Sequence, residues 1–364
     1  MQSKTLVTTP QPCVPVAATA RPRRRALIVR SSATEAAVAA GAKDRTQLGQ
    51  SGLEVSSLGL GAWSWGDRSR YWQSDIDRPS NLTAYKAMVA SGIDFLDTAE
   101  VYGFGLSEEF VGQFMRETGT SPTIATKFAP LPWRQTPGSL VGACRKSLER
   151  LGLQRMGLYI QHWPGFFLNT WANDAYLEGL ALVWEQGLAQ AVGASNFNEQ
   201  RTRKAAAVLA ARGTCLSSNQ VQYSLLYRKP EANGVMEACR ETGTTLVAYS
   251  PLCQGLLTGK YSKDNRPTGP RAQLFTEDRY RSVQVLLDCM RAVAEEQGGK
   301  TLGQVAINWT MCKGALPIPG AKNAKQVEEA AGALGWRLTD AQVAELDAVS
   351  SRVPPSTGAP FEAW

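Results

Sequence analysis

Short apolar runs recur along this chain between longer amphipathic stretches, at residues 58–62, 93–97, 123–128, 156–161, 189–195, 216–221, 244–249 and 315–319. Runs of this length, bounded by turn or polar residues, read as buried parallel strands. The intervening segments carry helical signals. Leu140, Cys144, Leu148 and Leu151 follow a 3.6-residue period, while Thr301 with Gln304 and Thr339 with Gln342 have the spacing of capping boxes that open helices. Each connection is long enough for a crossover helix, which parallel pairing requires. Strict alternation predicts an α/β fold, and eight units predict a closed (β/α)8 TIM barrel over an open sheet. Ahead of the first run, TQLGQSGLEVSS has turn signals at Gly49 and Gly52 and predicts an N-terminal β-hairpin that plugs the barrel floor. The box at Thr339 predicts a C-terminal helix. The rival open sheet of the dinucleotide-binding type fails at its glycine fingerprint: Gly59, Gly61 and Gly66 are present, but Ser64 breaks the spacing.

Charge changes the picture at one end only. The 364 residues carry 39 basic and 32 acidic side chains, a net charge of +7. Lys4, Arg21, Arg23, Arg24, Arg25 and Arg30 lie within the first 30 residues, where there is no acid, so the remainder holds 33 basic against 32 acidic residues. A leader rich in Ser, Thr, Ala and Pro with basic but no acidic residues has the composition of a transit peptide, here expected over 1–31 and directed to the chloroplast stroma. A basic arm that binds a polyanion is the alternative for this segment. Residues 32–42 read as a linker, 43–350 as the barrel and 351–364 as a C-terminal tail. No apolar run approaches the roughly 18 residues of a membrane span, and the nearly neutral barrel gives no reason to expect nucleic acid. Seven scattered cysteines without a CxxC pair and a single histidine support neither a disulfide framework nor a metal site. Among them Cys253 sits in a loop where redox sensitivity would matter.

Four polar residues stand at or just beyond successive strands, where barrel enzymes carry their chemistry. They are Asp97 and Tyr102 after the second run, Lys127 at the end of the third and His162 after the fourth. Taken singly, each has an ordinary packing or surface role. Together they form a proton-delivery device: an ammonium beside a phenol stabilises the phenolate and lowers its pKa from about 10. Asp97 would hold Lys127 charged and in place, and His162 would orient a carbonyl oxygen by a hydrogen bond.

The segment DTAEVYG followed by GLSE, together with Lys127 and His162, resembles the aldo-keto reductases over roughly residues 43–350. The resemblance implies a (β/α)8 barrel that transfers hydride from a nicotinamide coenzyme to an aldehyde or ketone, with Tyr102 giving the proton. It further implies that Ser195, Asn196 and Gln220 contact the nicotinamide carboxamide and that Tyr249 stacks on its ring. Ser250, Leu252, Gly255 and Leu257 would line the pyrophosphate. Lys322 would face a 2′-phosphate, making NADPH the expected coenzyme, with Gln326 and Glu329 at the adenosine; Ala330 stands where the family often has Asn, and Lys325 reads as a solvated helix charge.

Trp63, Trp65, Trp72, Trp163, Phe166 and Phe167 lie in or near the loops after the first and fourth strands and suggest an aromatic substrate wall, with Trp63 and Trp163 as the preferred contacts and others belonging to the core. The expected partner is a small carbonyl compound, bound by a monomer without nucleic acid or membrane. A dedicated reductase, for pyridoxal or another single metabolite, and a broad aldehyde reductase are both compatible with these residues. The alternative from a different class is an NADPH-binding regulatory or redox-sensor protein with little turnover.

Overall fold

The computed structural model describes residues 44–67, 78–262, 264–267, 272 and 275–355. The leader at 1–31, the linker at 32–42, Trp72 and the end of the tail from 356 lie outside the described residues.

Strands β1 (Arg45–Gln47) and β2 (Glu54–Ser56) pair antiparallel as the expected hairpin. Gly49 and Gly52 of its turn have φ of 57° and 70°, the left-handed region that glycine enters without a Cβ penalty. Gly49 is constrained twice, because a Cβ there would meet the Ser217 carbonyl oxygen at 2.8 Å.

Eight parallel strands follow: β3 (Leu60–Gly61), β4 (Phe95–Asp97), β5 (Thr123–Phe128), β6 (Met156–Gln161), β7 (Ala189–Ser195), β8 (Leu216–Gln222), β9 (Thr245–Tyr249) and β10 (Leu316–Ile318). Each pairs with its sequence neighbour from β3 through to β10. The ring is closed by the amides of Gly59 and Gly61, which donate to the carbonyls of Pro317 and Pro319 at 3.0 Å, with a parallel bridge between Gly61 and Gly320. The eight apolar runs are thus the eight staves, each shifted by at most a few residues at its ends.

Helices cover the outside. α1 (Arg78–Ala90), α2 (Leu106–Thr118), α3 (Pro137–Leu151), α4 (Asn173–Glu185) and α5 (Glu199–Ala211) each follow one strand, and the short α6 (Lys229–Ala232) and α7 (Val235–Glu241) follow β8. α8 (Glu277–Glu296) and α9 (Leu302–Cys312) fill the long segment before β10; α10 (Ala324–Ala331) and α11 (Asp340–Ser350) come last. The capping boxes at Thr301 and Thr339 are formed as expected. Leu140, Cys144, Leu148 and Leu151 are all buried on the inner side of α3. Inside the barrel, Phe95, Ala125, Leu158, Ile160, Ala191, Val247, Leu316 and Ile318 pack onto Leu48, Leu53 and Val55 of the hairpin. The hairpin therefore seals the floor with apolar side chains, opposite the mouth that carries Asp97, Tyr102, Lys127 and His162. Among the described residues no helix is long and apolar enough to cross a membrane.

Candidate active site

At that mouth the ends of β3, β4 and β6 to β10, with the loops after them, enclose a cavity of about 700 Å³. Its walls include Trp63, Asp97, Tyr102, His162, Trp163 and Tyr249.

Asp97 ends β4 and Lys127 is the last residue but one of β5, so adjacent strands place the two side chains together. Both are almost wholly buried. The Lys127 ammonium donates to Asp97 Oδ2 at 2.5 Å, to the Thr98 carbonyl at 2.7 Å and to the Tyr102 hydroxyl at 3.2 Å. Its three protons have three acceptors, which fixes its direction. The other oxygen of Asp97 accepts from Gln220 Nε2 at 2.8 Å. Burial pushes the Asp97 carboxyl up and the Lys127 ammonium down, each toward its neutral form, and their mutual attraction opposes both shifts.

Tyr102 shows a departure from the expected electrostatics. Burial, followed by the Asp97 charge, holds its phenol well above the usual tyrosine value. Removing the ring from water costs the phenolate more than the neighbouring ammonium returns, since that ammonium is already spent on Asp97. Tyr102 is thus held protonated, as an acid must be before it acts.

The His162 ring meets Tyr102 edge-on with centroids 5.7 Å apart and lies 4.6 Å from the Trp163 ring. Burial and then the Lys127 charge hold the imidazole well below its ordinary value, so it is neutral near pH 7. Its Nδ1 is buried without a hydrogen-bond partner.

Opposite this group, β7 ends in Ser195 and continues into Asn196, whose φ of 60° is in the left-handed region. The Ser195 hydroxyl donates to the Gln220 carbonyl at 2.7 Å, the Asn196 amide donates to the His162 carbonyl at 3.1 Å, and the Tyr249 hydroxyl donates to Asn196 Oδ1 at 3.0 Å. After β9 comes a loop in which Ser250, Cys253, Gln254 and Gly255 all have φ between 47° and 96°. Successive residues of this kind turn backbone N–H groups to one side and make a concavity suited to an anion. At the far end of the cavity Lys322, Gln326 and Glu329 line the wall from the start of α10. The Gln326 side chain there accepts from the Lys322 amide at 2.8 Å. A polar amide corner, an aromatic plate, an anion concavity and a lysine follow one another along one wall, which is the donor set that a nicotinamide dinucleotide requires.

All the expected catalytic positions converge, although Lys127 lies behind Tyr102 and Asp97 and does not form cavity wall. Ser195, Asn196, Gln220, Tyr249, Ser250, Leu252, Gly255, Lys322, Gln326 and Glu329 line the cavity, as do Trp63 and Trp163. Leu257 does not: its side chain is fully buried in the core between β8, β9 and α8. A local match places a segment beside the ligand without fixing which side chains turn inward. Trp65 is core as well, its ring wholly buried and its N–H given to the Ala321 carbonyl at 2.8 Å. Phe166 is half-buried, and Phe167 is 82% exposed. Lys325, assigned to solvent from the sequence, is exposed and also borders the cavity. Sequence reasoning passed over Ile307 and Gly303 of α9, which form cavity wall, because nothing in an apolar helix face tells core from pocket. It also passed over Glu108, wholly buried at the start of α2 and held by Thr126 at 2.5 Å and Arg150 at 2.6 Å. Cys144, Cys215, Cys239, Cys289 and Cys312 are free thiols, and the described residues hold no cluster able to bind a metal ion.

Comparison with known proteins agrees with this geometry. Residues 57–351 match the Aldo/keto reductase family. A chloroplastic pyridoxal reductase from Arabidopsis thaliana is 39% identical over 315 residues, covering 84% of this chain and 86% of the relative. The NADP(+) aldo-keto reductase yakc of Schizosaccharomyces pombe is 33% identical over 313 residues, covering 77% and 88% respectively. In structure, a glycerol dehydrogenase from Gluconobacter oxydans superposes with a TM-score of 0.74 at 25% identity, covering 87% of this chain and 98% of that one. The chain belongs to the aldo/keto reductase family and is an oxidoreductase acting on carbonyl groups.

Proposed function

We propose that this protein reduces small aromatic aldehydes, pyridoxal among them, with NADPH as coenzyme and Tyr102 as proton donor. The observation that carries the reading is the Tyr102 hydroxyl at 3.2 Å from an ammonium that is itself anchored by Asp97. The bound coenzyme supplies the hydride. As negative charge grows on the carbonyl oxygen, Tyr102 releases its proton to that oxygen, and the Lys127 ammonium stabilises the phenolate left behind. Lys127 is thus needed after the proton has moved, which is consistent with a phenol that stays protonated beforehand. Asp97 keeps Lys127 charged in a buried place, and the neutral His162 offers an N–H on Nε2 to orient the carbonyl. Trp63, whose ring centroid lies 6.3 Å from that of Tyr102, and Trp163, 4.6 Å from that of His162, line the cavity beside these two residues and would offer flat apolar faces to an aromatic substrate.

Lys322 is one of the lysines that line the cavity, with Lys260 and Lys325, and in this reading it meets a 2′-phosphate and sets the preference for NADPH. The pyridoxal assignment draws on the chloroplastic relative, and that relative together with the composition of residues 1–31 supports a plastid location for the mature protein. Kinetics of Tyr102→Phe test the proposal, with NADPH consumption followed against pyridoxal and 4-nitrobenzaldehyde. The phenyl ring keeps the packing and cannot give a proton, so turnover should fall by roughly two to four orders of magnitude while NADPH affinity stays within a few-fold. Near-normal turnover would remove Tyr102 as the acid; normal turnover of 4-nitrobenzaldehyde with none of pyridoxal in the parent protein would remove the substrate.

A further inference from the structure

Between Asp97 and Tyr102 lies a buried carboxylate that the chemistry above does not use. The Glu100 side chain is only 7% exposed. Its Oε1 accepts from the Ala129 amide at 2.7 Å and from the Arg134 guanidinium. Arg134 also donates to the Ala129 carbonyl at 3.3 Å and lies over the Phe128 ring at 5.5 Å. The Arg134 carbonyl in turn accepts from Tyr176 at 2.6 Å, which ties the group to α4. A carboxylate is costly to bury, and these partners offset that cost.

The position of this tether in the chain gives it consequence. Glu100 is two residues before Tyr102, and Ala129 is two residues after Lys127, so this side chain reinforces the long 3.5 Å bond from the Glu100 amide to the Lys127 carbonyl in binding the loop that carries the phenol to the strand that carries the ammonium. Beyond Tyr102 the backbone enters the left-handed region at Gly103, Phe104 and Gly105, and Gly103 rests on the loop after β3, where a Cβ would meet the Gly66 carbonyl at 2.5 Å. That second contact fixes Tyr102 relative to β3 and not to β5. The hydroxyl to ammonium distance of 3.2 Å is already at the long end of a useful hydrogen bond. A small drift of the loop away from β5 would break it.

We propose that Glu100 is a positioning residue that sets the distance between Tyr102 and Lys127, with Arg134 holding its charge in place. This rests on the reading of Tyr102 as the proton donor. The test compares Glu100→Ala, Tyr102→Phe and the double variant in turnover of 4-nitrobenzaldehyde and in NADPH affinity by tryptophan quenching. Misplacement of a reacting group by about 1 Å costs up to 100-fold, so Glu100→Ala should lower kcat roughly 10- to 100-fold with NADPH affinity within twofold. In the Tyr102→Phe background the same change should have no effect within about twofold, because the group being positioned is gone.

Equal losses in both backgrounds, or a loss expressed as weak coenzyme binding, would overturn the proposal. Near-normal turnover in Tyr102→Phe alone would instead remove the acid, and the proposal with it. Should Glu100→Ala fail to fold, Glu100→Asp retains the charge for Arg134 on a side chain one carbon shorter, which cannot meet the Ala129 amide with the loop in place. Its kcat should fall about tenfold in the parent and not in the Phe background; parent-like turnover in Glu100→Asp would equally overturn the assignment.

Discussion

His162 is the chain's only histidine, which makes its charge state separable from everything else that titrates near neutrality. Burial and the Lys127 ammonium keep its folded pKa well below the ordinary value, whereas the unfolded chain takes up a proton near pH 6.5. Below that pH the unfolded state binds more protons than the folded state, so stability must fall on acidification. Between pH 7.5 and 5.5 the parent should lose about 1 kcal/mol more than His162→Gln, as measured by urea unfolding at the two pH values. Equal losses would mean that the imidazole titrates normally, and a charged His162 would then repel Lys127. The same residue shows what sequence reading can and cannot reach. That His162 and Tyr102 share one mouth was legible from their places just after successive strands. The upward shift of the Tyr102 phenol was not, since it depends on how much water the assembled loops exclude. Glu100 and Glu108 escaped for a related reason: an acid in a loop or a first helical turn reads as solvated or as a partner of the helix dipole, and only packing shows it buried.

Among the elements, the strands were read from the sequence with ends that shifted by only a few residues, since most buried staves are apolar runs whose neighbours along the chain are polar or glycine; β8, with Ser217, Ser218, Asn219, Gln220 and Gln222 all buried, is the exception. The loops were legible only as segments. Leu257 and Trp65 both occupy the stretches that the family resemblance and the aromatic pattern marked, yet both turn into the core. The hairpin illustrates the opposite case, in which a local signal carried global meaning. Its Gly49 supplies both a left-handed turn and a close approach to the bottom of β8, with the Ser217 carbonyl 2.8 Å and the Gly243 carbonyl 3.0 Å from where a Cβ would stand. Neither neighbour can yield, because both are backbone. Gly49→Ala should therefore destabilise the barrel by about 2 kcal/mol or more, combining φ strain with the clash, while Gly52→Ala, with open space around its Cβ, should cost only the strain of its φ. Thermal unfolding of the two variants compares them directly. A cost at Gly49 no greater than at Gly52 would show that the hairpin is not pressed against the staves.

On the scale of the whole molecule, one cavity runs from Tyr102 to Lys322 and crosses parts of the chain that are far apart in sequence, so a ligand spanning it braces the fold. Binding to the folded state alone stabilises by an amount set by concentration over dissociation constant, about 2.7 kcal/mol at a hundredfold excess. That makes unfolding temperature a measure of coenzyme preference that does not depend on turnover. Lys322 borders the cavity from the start of α10, where the helix N-terminus adds its own attraction for an anion. If Lys322 meets the 2′-phosphate as proposed, replacing it by Glu removes a charge-assisted contact worth roughly 1.5–3 kcal/mol, about 10- to 100-fold in affinity. At a fixed NADPH concentration near one hundred times the parent dissociation constant, the stabilisation should drop from about 2.7 to about 0.4 kcal/mol for a 100-fold weaker complex. In temperature this is a coenzyme-induced rise of several degrees reduced to about one. NADH lacks the 2′-phosphate, and its effect on the same variant should be nearly that on the parent. A parallel loss for both coenzymes would place Lys322 against a group they share, such as the pyrophosphate, and the preference for NADPH would then have to arise elsewhere on the cavity wall, with Lys325 the nearest candidate in sequence.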